Sequence, residues 1–175
     1  MVMANGNGDL EALQAQPYPD GERNVGEELT HMIATIGENM SLRRAETLSV
    51  NEGVVTSYVH AAAAPGLGRI GVLVGLESSG DQAQLSALAK QVAMHVAAAS
   101  PQSVSVDDLN QEDVERERAV LSDQARESGK PEEIIAKMVE GRLRKFYQDV
   151  VLTEQTWVID GESKVAAVLE QAGKD

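Results

Sequence analysis

The feature that most constrains this chain is a pair of polar helices predicted over residues 107–150. The first, over residues 110–127, is highly charged and carries only a thin apolar stripe of Val114, Leu121 and Ala125. Ser128-Gly129-Lys130-Pro131 breaks the pattern, and residues 132–150 resume it with apolar residues at three- and four-residue steps. Two narrow stripes predict an antiparallel helical hairpin that projects from the rest of the protein. The alternative is two ordinary helices packed on a sheet.

The sequence before the hairpin predicts an α+β core. Residues 25–40 have apolar side chains at helical spacing, whereas the next three apolar segments are short and separated by Asn-Glu-Gly and Pro-Gly-Leu-Gly. These segments predict three antiparallel strands, over residues 42–50, 53–60 and 69–76. Asp81 then begins a helix that Ser100-Pro101 ends. A helix plus a three-stranded antiparallel sheet, with one face covered by helices, follows from this order.

The sequence patterns predict four segments along the chain. Residues 1–23 are rich in Gly, Asn, Pro and Asp and are expected to form a flexible lead-in, with a short helical pattern at 9–15. Residues 24–106 form the α+β core subdomain, and 107–150 the coiled-coil hairpin. Residues 151–175 are interpreted as a partial second core subdomain, with a short strand at 156–159 and a helix from about Ser163.

Charge and composition narrow the classes of function. The net charge of −13 opposes binding to phosphate backbones, and the one dense basic run, Arg142-Leu143-Arg144-Lys145, is typical of a solvated helix end. The absence of cysteine excludes disulfides, thiol nucleophiles and Cys-based metal sites. No signal-peptide pattern and no apolar run of roughly 20 residues is present, so a cytoplasmic protein without membrane contact is expected.

The residues that could indicate catalysis or a bound cofactor lack the structural context that those functions require. Gly66-Leu67-Gly68-Arg69-Ile70-Gly71 matches the dinucleotide fingerprint literally, but that fingerprint needs a helix after its glycines, and here a predicted strand follows. The histidines, His31, His60 and His95, include no pair at helical metal-ligand spacing. From their pattern alone, each is more simply a structural residue. The sequence therefore predicts a binding protein, not an enzyme, without a cofactor.

Several stretches resemble one protein family in order and in detail. Thr35-Ile36-Gly37-Glu38-Asn39-Met40-Ser41-Leu42-Arg43-Arg44 is similar to a segment of bacterial elongation factor Ts, and so are Ser57-Tyr58-Val59-His60 and Ala93-Met94-His95-Val96-Ala97-Ala98. The hairpin contributes Ser128-Gly129-Lys130-Pro131 and the run from Met138 to Phe146. The resemblance spans roughly residues 24–160.

The resemblance implies a translation factor that binds elongation factor Tu and promotes its release of GDP. It further implies that the core clasps the GTPase domain of Tu, and that the coiled-coil hairpin is a module associated with homodimer formation. Carried over position by position, the partner-binding residues would be Ile36, Gly37, Glu38, Asn39, His60, Met94 and His95. Core packing is the alternative for Ile36 and Met94. A scaffold or dimerisation module without exchange activity is the alternative function.

The sequence also departs from that family. Its members begin with a small three-helix module followed by a Thr-Asp-Phe-Val motif, which disturbs the magnesium site of Tu, and they close with a further glycine-rich segment. None of these is present in the sequence. We therefore expect a central piece of a longer factor, with reduced exchange activity.

Overall fold

The structure, a computed structural model of the chain, describes residues 9–19 and 21–174. Within these residues the fold is α+β, with six α-helices and one sheet of two antiparallel strands, so the predicted class is confirmed. The elements in chain order are α1 Leu10–Ala15, α2 Val25–Ile36, β1 Gly53–Ala64, β2 Leu67–Glu77, α3 Gln82–Ala99, α4 Gln111–Arg126, α5 Glu132–Val150, a 3-10 turn Leu152–Glu154, and α6 Val165–Ala172. No helix among the described residues is both long and apolar enough to cross a membrane.

The described residues divide into two compact units. The first holds the residues up to Ser49 together with Ala64–Leu67, and the second holds Val50–Ala63 and residues 68–174. The segment boundaries at residues 23, 106 and 150 that the sequence suggested stay predictions.

The first unit contains α1 and α2, which pack on each other and bury Leu13 and Val25. The Asp9 carboxylate caps α1 by accepting from the Glu11 N–H at 2.9 Å. Asn24 and Glu27 form a capping box that starts α2. Helix α2 was predicted to continue to residue 40, but it ends at Ile36, because Gly37 adopts φ +79° in the left-handed region.

The sheet has two strands where the sequence predicted three. Residues 42–50, the predicted first strand, form neither strand nor helix. The prediction was wrong because a strand needs the backbone edge of a neighbouring strand to pair with, and the sheet of the described residues is formed by β1 and β2. The other two strands form, and both are longer than predicted: β1 continues past His60 to Ala64, and β2 starts at Leu67.

The main core cluster lies between the two-stranded sheet, α3 and the C-terminal elements. Its buried members are Val74, Ala89, Val92, Ala93, Leu152, Trp157 and Val165. Alternate residues of the strands, among them Val54, Tyr58, Val72 and Leu76, pack against this cluster from one face of the sheet. Since the small residues Ala89 and Ala93 lie on this side of α3, the helix can approach the cluster closely.

The helical hairpin forms as predicted, with α5 beginning directly after Pro131. Ala125 packs with Ile135 and Val139, whereas Val114 packs with Leu143, so the two helices are antiparallel. The cluster near the turn consists of residues of α4 and α5 alone. Near the other end, Val114 and Leu143 share a cluster with Leu109 and Val151, which ties the hairpin to the flanking chain.

In the C-terminal segment the predicted helix forms, as α6, but a turn takes the place of the predicted strand. Residues 156–159 contribute only an isolated bridge between Thr156 and Lys164. The Gly161 N–H donates to the Trp157 carbonyl at 2.9 Å, and the Asp160 carboxylate accepts from the N–H groups of Glu162 and Ser163. This tight turn uses the backbone groups that a strand would need, and α6 follows it.

Candidate interaction surface

The first group of predicted site residues lies at the end of α2. Ile36 is 53% exposed, so its side chain is not packed in the core, which was the alternative for this residue. Gly37, Glu38 and Asn39 are exposed too. The Gly37 N–H donates to the Ile33 carbonyl at 2.9 Å and closes the helix. A Cβ at Gly37 would meet nothing within 4 Å, so glycine is favoured here by the backbone conformation and not by lack of space. An apolar side chain is thereby held in water at a well-defined helix end.

The second position is His60, an exposed residue of β1. Its Nδ1 atom lies 3.1 Å from the Tyr58 hydroxyl oxygen, within hydrogen-bonding distance. The two ring centroids are 6.0 Å apart, and the planes are inclined by 41°. Tyr58 itself is half-buried and packs against the main core cluster. The histidine is therefore held by a ring that the core fixes.

The backbone beside His60 is unusual. Ala61 has φ +50°, a left-handed conformation that costs a non-glycine residue of order 1–3 kcal/mol. On the opposite strand, a Cβ added to Gly68 would lie 2.7 Å from the His60 carbonyl oxygen and would also collide with the Val59 side chain. The strands thus approach each other closely at His60, and strained backbone of this kind is often found at functional sites.

The third group consists of two neighbours on α3 that differ in burial. Met94 is 42% exposed, whereas His95 is 0% exposed and lies inside the fold. Adjacent helical residues point about 100° apart, so one helix turn can present Met94 to solvent while His95 contacts the core. The side chain of Met94 is available to a partner, and that of His95 is not.

His95 is held by residues distant in the sequence. Its Nε2 atom lies 3.0 Å from Gln155 Oε1, and its Nδ1 accepts from the Val158 N–H at 3.2 Å. Because Nδ1 is an acceptor, the proton of the neutral ring must be on Nε2, which donates to Gln155. The imidazole also stacks on Trp157, with centroids 5.2 Å apart and planes 20° from parallel.

Gln155 extends this network to two further backbone carbonyls. Its amide nitrogen donates to Asp149 O at 2.9 Å and to Ala99 O at 3.4 Å, which are the carbonyls near the ends of α5 and α3. No buried side-chain nitrogen or oxygen among the described residues is left without a hydrogen bond. The network is therefore fully satisfied, and it joins α3, α5 and the Trp157 turn.

The same turn carries exposed apolar side chains and one perturbed carboxyl. Val158 and Ile159 are exposed next to the His95 network. The backbone N–H of Glu162, followed by the Ser163 hydroxyl and N–H, lowers the pKa of Asp160 by stabilising its charged form. The ionised Asp160 thus helps to keep the turn, and the two apolar residues on it, in one conformation.

The predicted residues fall into both compact units. Ile36, Gly37, Glu38 and Asn39 belong to the first, while His60, Met94 and His95 belong to the second. Tyr58 and Gln155, the residues that hold His60 and His95, were not predicted from the sequence. Tyr58 could have been found, since residues two apart on a strand share a face. Gln155 is 60 positions from His95, and a single sequence gives no signal for that pairing.

The exposed members of the predicted set have side chains of the kinds found at protein interfaces. Ile36 in the first unit and Met94 in the second are exposed apolar side chains, and His60 in the second unit is an exposed hydrogen-bonding group. No cluster of three or more metal-ligating side chains occurs within the part of the chain that the structure describes.

Comparison with known proteins gives the family. The model described as Elongation factor TS matches residues 1–175. Elongation factor Ts of Rhodospirillum rubrum is 62% identical over 169 residues, which are 96% of this chain and 55% of the relative. The proteins of the same name from Gluconobacter oxydans and Rhodospirillum centenum are 60% and 59% identical, over 94% and 95% of this chain and 54% of each relative.

The chain belongs to the elongation factor Ts family, as the resemblance predicted. It spans about half the length of the curated relatives it matches.

Proposed function

We propose that this chain binds elongation factor Tu and promotes its release of GDP, with lower exchange activity than a full-length member of its family. The family match over the whole chain carries the proposal, with relatives that are named Elongation factor Ts. The lower activity is proposed because the chain corresponds to 54–55% of those relatives. Exchange needs no covalent chemistry from the factor, so we expect binding residues and not catalytic ones.

The mechanism follows from thermodynamic linkage. A protein that binds nucleotide-free Tu more tightly than nucleotide-bound Tu must weaken nucleotide binding by the same factor. Each 1.4 kcal/mol of differential binding lowers the affinity for the nucleotide about tenfold. The chain therefore needs contacts that Tu offers only, or better, when its nucleotide site is empty.

The proposed contacts are the exposed predicted residues: Ile36, Gly37, Glu38, Asn39, His60 and Met94. Ile36 and Met94 would supply apolar area, and His60 a directed hydrogen bond. His95 is the seventh predicted residue; because it is buried, we propose that it acts by holding α3 and the Trp157 turn in place, so that Met94 is presented correctly.

Stopped-flow release of a fluorescent GDP from Tu tests the proposal. We expect the chain to accelerate release, but less than a full-length factor at the same concentration. Acceleration equal to that of the full-length factor would refute the lower activity. Failure to accelerate release, combined with no binding to nucleotide-free Tu by calorimetry, would refute the function itself.

A pair of matched isoleucine variants tests the proposed surface. Ile36→Ala removes a side chain that is 53% exposed on α2, and Ile134→Ala removes one that is 45% exposed on α5. If a partner covers Ile36, its loss should weaken binding to Tu about five- to tenfold, since about half the side chain remains to be buried. Ile134→Ala should leave the affinity unchanged. Equal effects of the two variants would contradict the assignment.

The helical hairpin gives a second candidate function, homodimer formation. Val120 on α4 and Ile134 on α5 are both exposed apolar side chains, and a second copy of the chain packed on this hairpin would cover them. Light scattering on the chain and on the Val120→Ser, Ile134→Ser double variant tests it. A dimer that becomes a monomer in the variant is the expected result, whereas a monomeric parent chain would rule out this role.

The remaining parts of the proposal concern location and other partners. We expect the protein to act in the cytoplasm, where translation takes place. We expect no direct contact with nucleic acid, because the net charge of −13 repels phosphate. No membrane partner is proposed.

A further inference from the structure

Tyr58 and His60 form a pair whose two members have different surroundings. Both project from the same face of β1, because they are two residues apart on a strand. Tyr58 packs on the main core cluster, while His60 is exposed. The 3.1 Å contact between the Tyr58 hydroxyl and His60 Nδ1 connects the half-buried tyrosine to the exposed histidine.

The chemistry of the two groups sets the direction of this hydrogen bond. A phenol O–H is a good donor and a poor base, whereas a neutral imidazole nitrogen is basic, with an ordinary pKa near 6.5. The favoured arrangement is therefore donation from the Tyr58 hydroxyl to Nδ1. The single proton of the neutral imidazole is then on Nε2, the ring nitrogen that does not contact Tyr58.

We propose that Tyr58 is a positioning residue that fixes both the orientation and the tautomer of His60. The Nε2–H group becomes a hydrogen-bond donor directed at the partner, and the partner group that it fits is an acceptor, either a main-chain carbonyl or a carboxylate. The inference rests on the proposed function, in which His60 faces elongation factor Tu. It adds the chemical nature of that contact and a residue that was not among the predicted site residues.

Preorganisation explains why such a residue matters for affinity. Without the Tyr58 hydroxyl, the His60 ring can rotate, and its proton can occupy either nitrogen. Binding must then select one orientation and one tautomer. A hydrogen bond of this kind contributes modestly, so its loss should weaken binding about two- to tenfold. Removal of His60 itself should cost at least as much.

The tautomer is measured directly by ¹⁵N NMR of the histidine side chains, recorded near pH 8 so that the neutral ring is observed. The chain has three histidines, so His60→Gln identifies the His60 signals. We expect Nε2 to carry the proton and Nδ1 to accept a hydrogen bond. Tyr58→Phe keeps the ring in the core cluster and should produce a mixture of tautomers. Tyr147→Phe, which changes a half-buried tyrosine on α5, is the matched control and should leave the tautomer unchanged.

A double-mutant cycle with nucleotide-free Tu supplies the functional readout. Tyr58→Phe should weaken binding in the parent chain but have no further effect in His60→Ala, because the hydroxyl acts only through the histidine. His60→Gln, whose amide can still donate, should retain more affinity than His60→Leu. Equal losses from Tyr58→Phe in both backgrounds would overturn the positioning role, as would a proton on Nδ1 of His60 in the parent chain.

The two measurements separate the inference from the function on which it rests. If the chain does not bind Tu, the proposed function fails, and the partner contact fails with it, whatever the NMR signals show. If the chain binds Tu and His60→Ala binds equally well, the function stands and the inference is overturned. If His60→Ala weakens binding while Tyr58→Phe alters neither tautomer nor affinity, only the role of Tyr58 is overturned.

Discussion

Gln155 occupies the centre of the buried network, so its replacement by methionine is the sharpest test of what that network contributes. The Gln155→Met substitution keeps the length and approximate volume of the side chain and removes its polar atoms. The His95 Nε2–H loses its acceptor at 3.0 Å, and the carbonyls of Asp149 and Ala99 each lose a donor. Since His95 is completely buried, water cannot replace the lost partner without opening the fold.

The expected cost can be worked out from these contacts. A buried donor left unpaired costs about 1–3 kcal/mol, and the two partly buried carbonyl contacts contribute about 1–2 kcal/mol together, the 3.4 Å contact least. Replacing the buried amide by an apolar thioether returns about 1 kcal/mol. The net loss is therefore about 1–4 kcal/mol. For a chain of 175 residues this corresponds to a decrease in Tm of about 2–16 °C.

The chain contains its own probe for this measurement. Trp157 is the single tryptophan and stacks on His95, so its fluorescence should report both local rearrangement and unfolding. Denaturant unfolding followed by this signal gives the change in the free energy of unfolding. Gln91→Met is the matched control, because Gln91 is an exposed glutamine on α3 and its replacement should change stability by less than about 0.5 kcal/mol.

Two results would contradict the reasoning. If Gln155→Met is as stable as Gln91→Met, the network does not hold the C-terminal turn to α3. If His95→Phe combined with Gln155→Met costs the full sum of the two single changes, the two side chains are not partners, because removing both members of a buried pair should cost less than that sum.

Three further predictions concern close packing, the hairpin and pH. Gly68→Ala should lower the free energy of unfolding by about 1–3 kcal/mol in thermal unfolding, because its Cβ would collide with the backbone of β1. Gly71→Ala is the control and should be nearly neutral, because a Cβ there meets open space. Equal values for the two variants would contradict the close approach of the strands at Gly68. Leu143→Ala should lower the free energy of unfolding by about 2–5 kcal/mol, because Leu143 is only 1% exposed. Ile134→Ala should lower it by less than about 1 kcal/mol. A similar loss for both variants would show that the helical hairpin is not packed as described. The pKa of Asp160 is lowered in the folded protein, so its contribution to stability is present above the unfolded pKa of about 3.9 and is lost as the pH falls through the folded value. Asp160→Asn should therefore reduce the loss of stability on acidification below about pH 4. A dependence of Tm on acid pH that is unchanged in the variant would refute this prediction.

The elements that could be predicted from the sequence are those with strong local signals. Pro131 cannot continue the preceding helix but suits the start of the next one, so α5 begins at Glu132 as expected. Asp81 caps α3 through the N–H groups of Ala83 and Gln84, as an aspartate before an apolar periodic run indicates. In both places one residue type is favoured by backbone chemistry within a few positions, and distant contacts are not needed.

The elements that could not be predicted depend on distant pairing. Residues 42–50 look like a strand locally, but a strand forms only where another edge accepts it. Conversely, the run of alanines after His60 is poor in strand propensity, yet β1 continues through it to Ala64 because β2 lies alongside. Residues 156–159 read as a strand by composition, but Asp160 and Gly161 close a tight turn there.

Within the predicted site, the burial of a side chain also could not be read from the sequence. Met94 and His95 come from one family motif and were predicted to do the same thing. Their burial assigns them different parts: Met94 has side-chain area to offer a partner, whereas both ring nitrogens of His95 are already bonded inside the fold. If the chain binds Tu as proposed, a loss of binding in a His95 variant should coincide with a loss of stability, while a Met94→Ala variant should lose affinity at unchanged Tm. Measuring both quantities for both variants distinguishes a residue that contacts the proposed partner from one that only stabilises the fold.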